Sequence, residues 1–123
     1  MMPRYAALIY AEESTTPPSE EELGQTFADY TEFGEKGNAA GVILGGEALL
    51  DTPTATTVRV EGGKGGEIIT TDGTFAETKE ALGGFYLLQA SDLDDAIKWA
   101  SQIPGAWHGR VEVRPIMEFE DSE

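Results

Sequence analysis

The chain contains no cysteine, which excludes disulfide scaffolds, thiolate metal sites and cysteine nucleophiles. Histidine is almost as scarce, with His108 the single example. One imidazole among scattered acids has no metal-ligand spacing, so no metal is expected. Basic side chains number 8 against 23 acids, for a formal charge of −15. A field of that sign repels phosphate backbones and anionic lipid, so neither nucleic acid nor membrane surface is an expected partner. No apolar run approaches the roughly 20 residues of a membrane helix. The start of the chain lacks a basic region followed by an apolar run, so no signal peptide is read and a cytoplasmic location is expected.

What is present fits one folded unit. A length of 123 residues, 40% hydrophobic and 25% charged, suits a single α+β domain over 1–123 with one core. The 15 glycines follow no period and mark turns. Among them Gly62-Gly63-Lys64-Gly65-Gly66 lacks the Gly-Lys-Ser/Thr ending and following helix of a phosphate loop, so it reads as a hairpin turn and no cofactor is expected.

Arg4 to Ala11 alternates Tyr5, Ala7 and Ile9 with Ala6, Leu8 and Tyr10, a strand apolar on both faces. Ser19 and Glu22 have capping-box spacing, and Leu23, Phe27, Tyr30 and Phe33 form one helical stripe that Gly37 should end. Gly41 to Leu49 reads as a strand kinked at Gly45-Gly46, and Thr56–Val60 with Glu67–Thr70 as a hairpin. Asp72 to Leu82 reads as an irregular connection with room for one helical turn. Gly84 to Ala90 is a second strand apolar on both faces. Ser91 and Asp94 repeat the capping spacing before a stripe of Leu93, Ala96, Ile97 and Ala100, which Pro104 closes. In the last strand Val111 and Val113 oppose Arg110, Glu112 and Arg114. The order βαββαβ with an inserted β-hairpin predicts a ferredoxin-like sheet with two helices on one face. The doubly apolar strands then fall at its centre, and the uncovered sheet face predicts a homodimer.

Asp72 and His108 are the candidate proton-transfer groups. Histidine alone exchanges protons near neutrality without a large shift, although a surface histidine before the last strand is the plainer reading of His108. Asp72-Gly73 is a turn signal, yet Asp72, Glu77, Lys79 and Glu80 crowd ionisable groups into one loop, where sites often lie. Lys79 can neutralise Glu77 or hold an anion, while Glu80 reads as structural. Glu112 and Arg114 share a face of the last strand and suit ligand clamping if that face lines a cleft. Glu47 and Tyr86 can join them from neighbouring strands, with core or dimer contact the plainer role for Tyr86.

The segments Gly45-Gly46-Glu47-Ala48-Leu49, Asp72-Gly73, Phe75 to Glu80, Gly83-Gly84-Phe85-Tyr86 and Val111 to Pro115 resemble the DGPF-domain proteins. These are a branch of the YciI-like group in the dimeric α+β barrel superfamily. The resemblance covers nearly the whole chain. Thr74 stands where the family has proline, which leaves the turn less rigid. The resemblance implies a ferredoxin-like protomer whose sheet packs on a partner's sheet around a cleft. Some YciI-like relatives are small-molecule enzymes, one a dehydrochlorinase of a chlorinated hydroxyhydroquinone. The expected function is therefore a cofactor-independent enzyme or binder of a small polar or anionic molecule. Because DGPF proteins are often encoded beside extracytoplasmic-function sigma factors, a regulatory partner module is the alternative.

Overall fold

The computed structural model describes residues 2–74 and 78–119; the expectation for Glu77 lies outside them. In chain order the elements are β1 (Arg4–Glu12), α1 (Glu20–Ala39), β2 (Ile43–Ala48), β3 (Thr56–Glu61), β4 (Glu67–Asp72), β5 (Glu80–Gln89), α2 (Leu93–Ala100), α3 (Gly105–His108) and β6 (Arg110–Pro115). A short 3-10 turn, Thr52–Thr54, leads into the hairpin. The main sheet runs β2-β5-β1-β6, and β3-β4 form a separate two-stranded sheet. Every main-sheet pairing is antiparallel, the strand order of the ferredoxin-like arrangement. β1 and β5 are central and the charged β6 is an edge.

Register sorts the side chains. Tyr5 pairs with Leu88 and Ala7 with Tyr86, and these positions face the helices. One core cluster joins Ala7 and Leu88 to Phe33 of α1 and Ala100 of α2, and a second joins Tyr5 to Ala90 and Ala96. Alternate positions form the opposite face, where Ala6 meets Leu87, Leu8 meets Phe85 and Tyr10 meets Leu82. Neither core cluster includes these six side chains, and each is half-buried.

α1 starts where the capping spacing places it. The Ser19 hydroxyl accepts from the Glu22 N–H at 3.1 Å, and the Glu22 carboxylate accepts from the Ser19 N–H at 3.0 Å. The apolar stripe is buried only along its second half. Phe33 is 2% exposed, but Leu23 is 55% and Phe27 75% exposed. The cause lies across the gap, where the helix-facing positions at that end of the sheet are Gly46, Ala48 and Gly84 and offer little to pack against. The helix also runs past Gly37 to Ala39. Gly37 is buried, and a methyl group there would overlap the Ile43 side chain. It serves close packing rather than termination.

α2 departs by one residue. Its cap is Asp92, whose carboxylate accepts from the Asp95 N–H at 2.8 Å, while Ser91 donates its N–H to Asp95 at 3.0 Å. The helix buries Ala96 and Ala100 and leaves Leu93 and Ile97 about half exposed. Small residues let this short helix lie close to the sheet, so the contact face turns away from the larger pair. β2 bulges between Ile43 and Gly45, just ahead of the expected kink. In the connection from β4 to β5, no helical turn occurs among the described residues.

The tail is tied back to β1. Arg4 donates Nε and Nη2 to the two Glu118 oxygens at 2.9 and 2.8 Å, a matched fork. These hydrogen bonds, aided by the charge, hold the Glu118 carboxyl below its usual range. The Ser19 contact does the same for Glu22.

Nothing lies within contact of a methyl group at Gly24, so Gly24→Ala should stabilise by about 0.5–1 kcal/mol in urea unfolding. Gly37→Ala should destabilise by about 1 kcal/mol despite the same propensity gain, because it overpacks the core; Gly37→Ala with Ile43→Val should recover part of that loss. A carboxylate with a depressed folded pKa adds stability above its unfolded pKa and loses it as pH falls through the folded value. Relief of repulsion among the acids acts oppositely. Tm at fixed ionic strength should therefore rise from about pH 7 to about pH 5 and fall below about pH 4, where paired carboxylates protonate. A steady fall from neutrality would contradict that balance.

Candidate functional site

The strand alternation that makes the open face apolar at its centre makes it charged at one end. β1 continues Ala6, Leu8, Tyr10 into Glu12, which pairs with Glu80 of β5, while Arg110 of β6 pairs with Tyr10. Two carboxylates directly opposite one another are unfavourable, and cations from either side offset this. Lys79 Nζ lies 3.7 Å from Glu12, and Arg110 Nε lies 3.6 Å from Glu80. Further along β6, Arg114 Nε lies 3.9 Å from Glu112. These contacts are long and solvent-exposed, so each is worth little and is easily exchanged.

The charged groups line a cleft of about 800 Å³ whose walls hold Tyr10, Glu12, Lys79, Glu80, Arg110 and Glu112. Thr78 and His108 complete it. Thr78 donates its hydroxyl to the Glu80 carbonyl at 2.5 Å, which fixes the entry into β5. His108 arrives on α3, which packs tightly on β1. A methyl group at Gly105 would overlap Ile9, and one at Gly109 would overlap the Tyr10 carbonyl. The close approach places the imidazole at the edge of the sheet.

There His108 also borders a second cavity of about 540 Å³ on the helix side of the sheet, with Ile9, Tyr30 and Tyr86 in its wall. Burial pushes the Tyr30 phenol pKa up, and the Gly105 backbone N–H offsets part of that rise. Tyr86 is pushed up by burial and then by the neighbouring Tyr30. The Tyr86 ring stands edge-on to Phe33, centroids 5.0 Å apart.

The structure brings together His108, Lys79 and Glu112 in the charged cleft. It divides the remaining candidates. Tyr86 faces the helices, whereas Glu47 pairs with Phe85, a position of the open face, so the two do not converge through their side chains even though both border the second cavity. Arg114 reaches Glu112 but lines neither cavity, and Asp72 closes the hairpin opposite Thr56, exposed and outside both walls. Glu12, Arg110 and Tyr10 entered the cleft unassigned by the sequence reading. Their signal was the period-two continuation of β1 and β6, which became a site only once the register between strands was known. Tyr30 belongs to the apolar stripe of α1; it packs against the core and also lines the second cavity.

The model of the YCII-related domain family matches residues 3–120 of the chain. An uncharacterised protein of Rhizobium meliloti (strain 1021) is 38% identical over 122 residues, covering 97% of this chain and 96% of that one. With a family match over nearly its whole length and a full-length bacterial relative at that identity, the chain belongs to the YCII-related domain family.

Proposed function

We propose that the protein is a cofactor-independent enzyme or binder of a small polar molecule, acting at the charged cleft. One observation carries this reading: the imidazole shares a concavity with carboxylates and two cations, Lys79 and Arg110, whose mutual contacts, at 3.6 and 3.7 Å, are long enough to exchange for a ligand. An anionic group on the ligand would take Lys79 and Arg110 away from Glu12 and Glu80. His108 would then move a proton at a neighbouring atom, and Glu112, held by Arg114, would take a hydroxyl or amino group. A concave site favours this over the regulatory partner of a sigma factor, which calls for a flat charged surface.

The proposed working unit is a homodimer formed through the open face, in the manner of a dimeric α+β barrel. Leu8, Leu82, Phe85 and Leu87 sit there outside both core clusters. A second sheet laid on them would bury the strip and wall the cleft. The proposed dimer is the packing that the DGPF resemblance implies, but the apolar strip argues for it independently.

Light scattering at micromolar concentration should give twice 13.2 kDa, and a clean monomer would sink the dimer. In a thermal-shift panel of small phenols, lactones and amino-acid-like acids, acids should raise Tm by mass action. Lys79→Ala and Arg110→Ala should lose that response. His108→Gln should keep binding and lose whatever turnover the ligand undergoes. Asp72→Asn, which preserves a turn former, should stay within about 1 kcal/mol of the parent and leave the response intact. A panel with no acid-dependent shift, or a shift indifferent to both cation variants, would overturn the assignment.

A further inference from the structure

The helix-side cavity is a distinct space from the charged cleft, with His108 the side chain common to both walls. It exists because the sheet presents Gly46, Ala48 and Gly84 beneath the first half of α1, which therefore overhangs with Leu23 and Phe27 exposed. About 540 Å³ is left between helix and sheet, within the ordinary range for a small-molecule pocket.

Its chemistry is selective. Tyr30, Tyr86 and Ile9 provide aromatic and aliphatic wall, and Asp29 stands beside Tyr30 at its edge. No lysine or arginine lines it among the described residues. Burial keeps both phenols neutral by pushing their pKa values up. Asp29 already accepts one hydrogen bond, from Gln25 Nε2 at 2.8 Å, and a carboxylate has room for more. Neutral aromatic faces with two acidic residues in the wall, Asp29 and Glu47, in a chain of net charge −15, attract a cation and reject an anion.

We infer that this cavity binds a small arylalkylamine, its ring lodged between α1 and the glycine-floored end of the sheet against Tyr30 and Tyr86 and its protonated amine on Asp29. The ring packs on the phenol faces, and the ammonium meets Asp29, the acid that α1 places beside Tyr30 in the wall.

Phenethylamine is the direct probe, with phenylacetate as its anionic counterpart and butylamine as its ringless one, followed by calorimetry and thermal shift on the full chain. Phenethylamine should bind and raise Tm, while phenylacetate and butylamine should bind at least about tenfold more weakly, a difference of about 1.4 kcal/mol. Asp29→Asn keeps the oxygen that accepts from Gln25 and removes the charge, so it should weaken phenethylamine about tenfold. Ala48→Trp, at an exposed position that lines the cavity, should fill the space and abolish binding. Glu80→Gln, in the charged cleft, should leave binding unchanged. An amine that settles among Glu12, Glu80 and Glu112 instead would show the reverse pattern, sensitive to Glu80→Gln and indifferent to Ala48→Trp. That result, equal binding of phenylacetate, or no binding of phenethylamine at millimolar concentration would each overturn the inference. None of them touches the reading of the cleft, which is tested by acids and by Lys79.

Discussion

The position of β1 between β5 and β6 is the constraint on which the rest depends. It pairs with both a central neighbour and the charged edge, and its register with each assigns the side chains of these three strands to a face. Tyr5, Ala7 and Ile9 go under the helices; Ala6, Leu8, Tyr10 and Glu12 go to the other side. A slip of one residue would turn Glu12 and Tyr10 into the helix layer and bring Ala7 out. The core, the charged cleft and the open apolar strip are thus three consequences of one pairing.

Much of this was legible from residues alone, wherever the signal was local. The Ser19 and Glu22 capping box is a matter of three residues' spacing and needs nothing from elsewhere in the chain. The same holds for the period-two strands and the glycine turn, where Gly62, Gly63 and Gly65 all have positive φ near 84°. The features that escaped depend on partners distant in sequence. Leu23 and Phe27 have the right helical spacing, but whether they are buried is decided by Gly46, Ala48 and Gly84 across the gap. Ser91 and Asp92 are both good caps, and only the packing of Ala96 and Ala100 against the sheet selects Asp92. Glu12 and Glu80 are unremarkable acids until β1 and β5 set them opposite each other.

Charge distribution carries the same lesson at larger scale. Six of the eight basic side chains are ion-paired among the described residues: Arg4, Lys36, Arg59, Lys79, Arg110 and Arg114. Two of those six, Lys79 and Arg110, lie at the charged end of the open face. A chain this acidic has few cations to place, and two of them stand where three carboxylates converge, which makes that end electrically mixed. Such placement sets where a charged ligand can settle, although exposed pairs of this length add little to stability.

The two cavities also divide the burden on α3. This short helix is held by close contact, with Gly105 against the Ile9 side chain and Gly109 against the Tyr10 carbonyl, two consecutive residues of β1. His108, which follows Gly105 and precedes Gly109, is thereby held where it borders both spaces. Substituting either glycine would push the imidazole off the sheet and disturb both cavities together, whereas Ala48 or Lys79 can be changed to affect only one. The geometry makes the proposed sites separable by mutation at their walls and inseparable at their shared hinge.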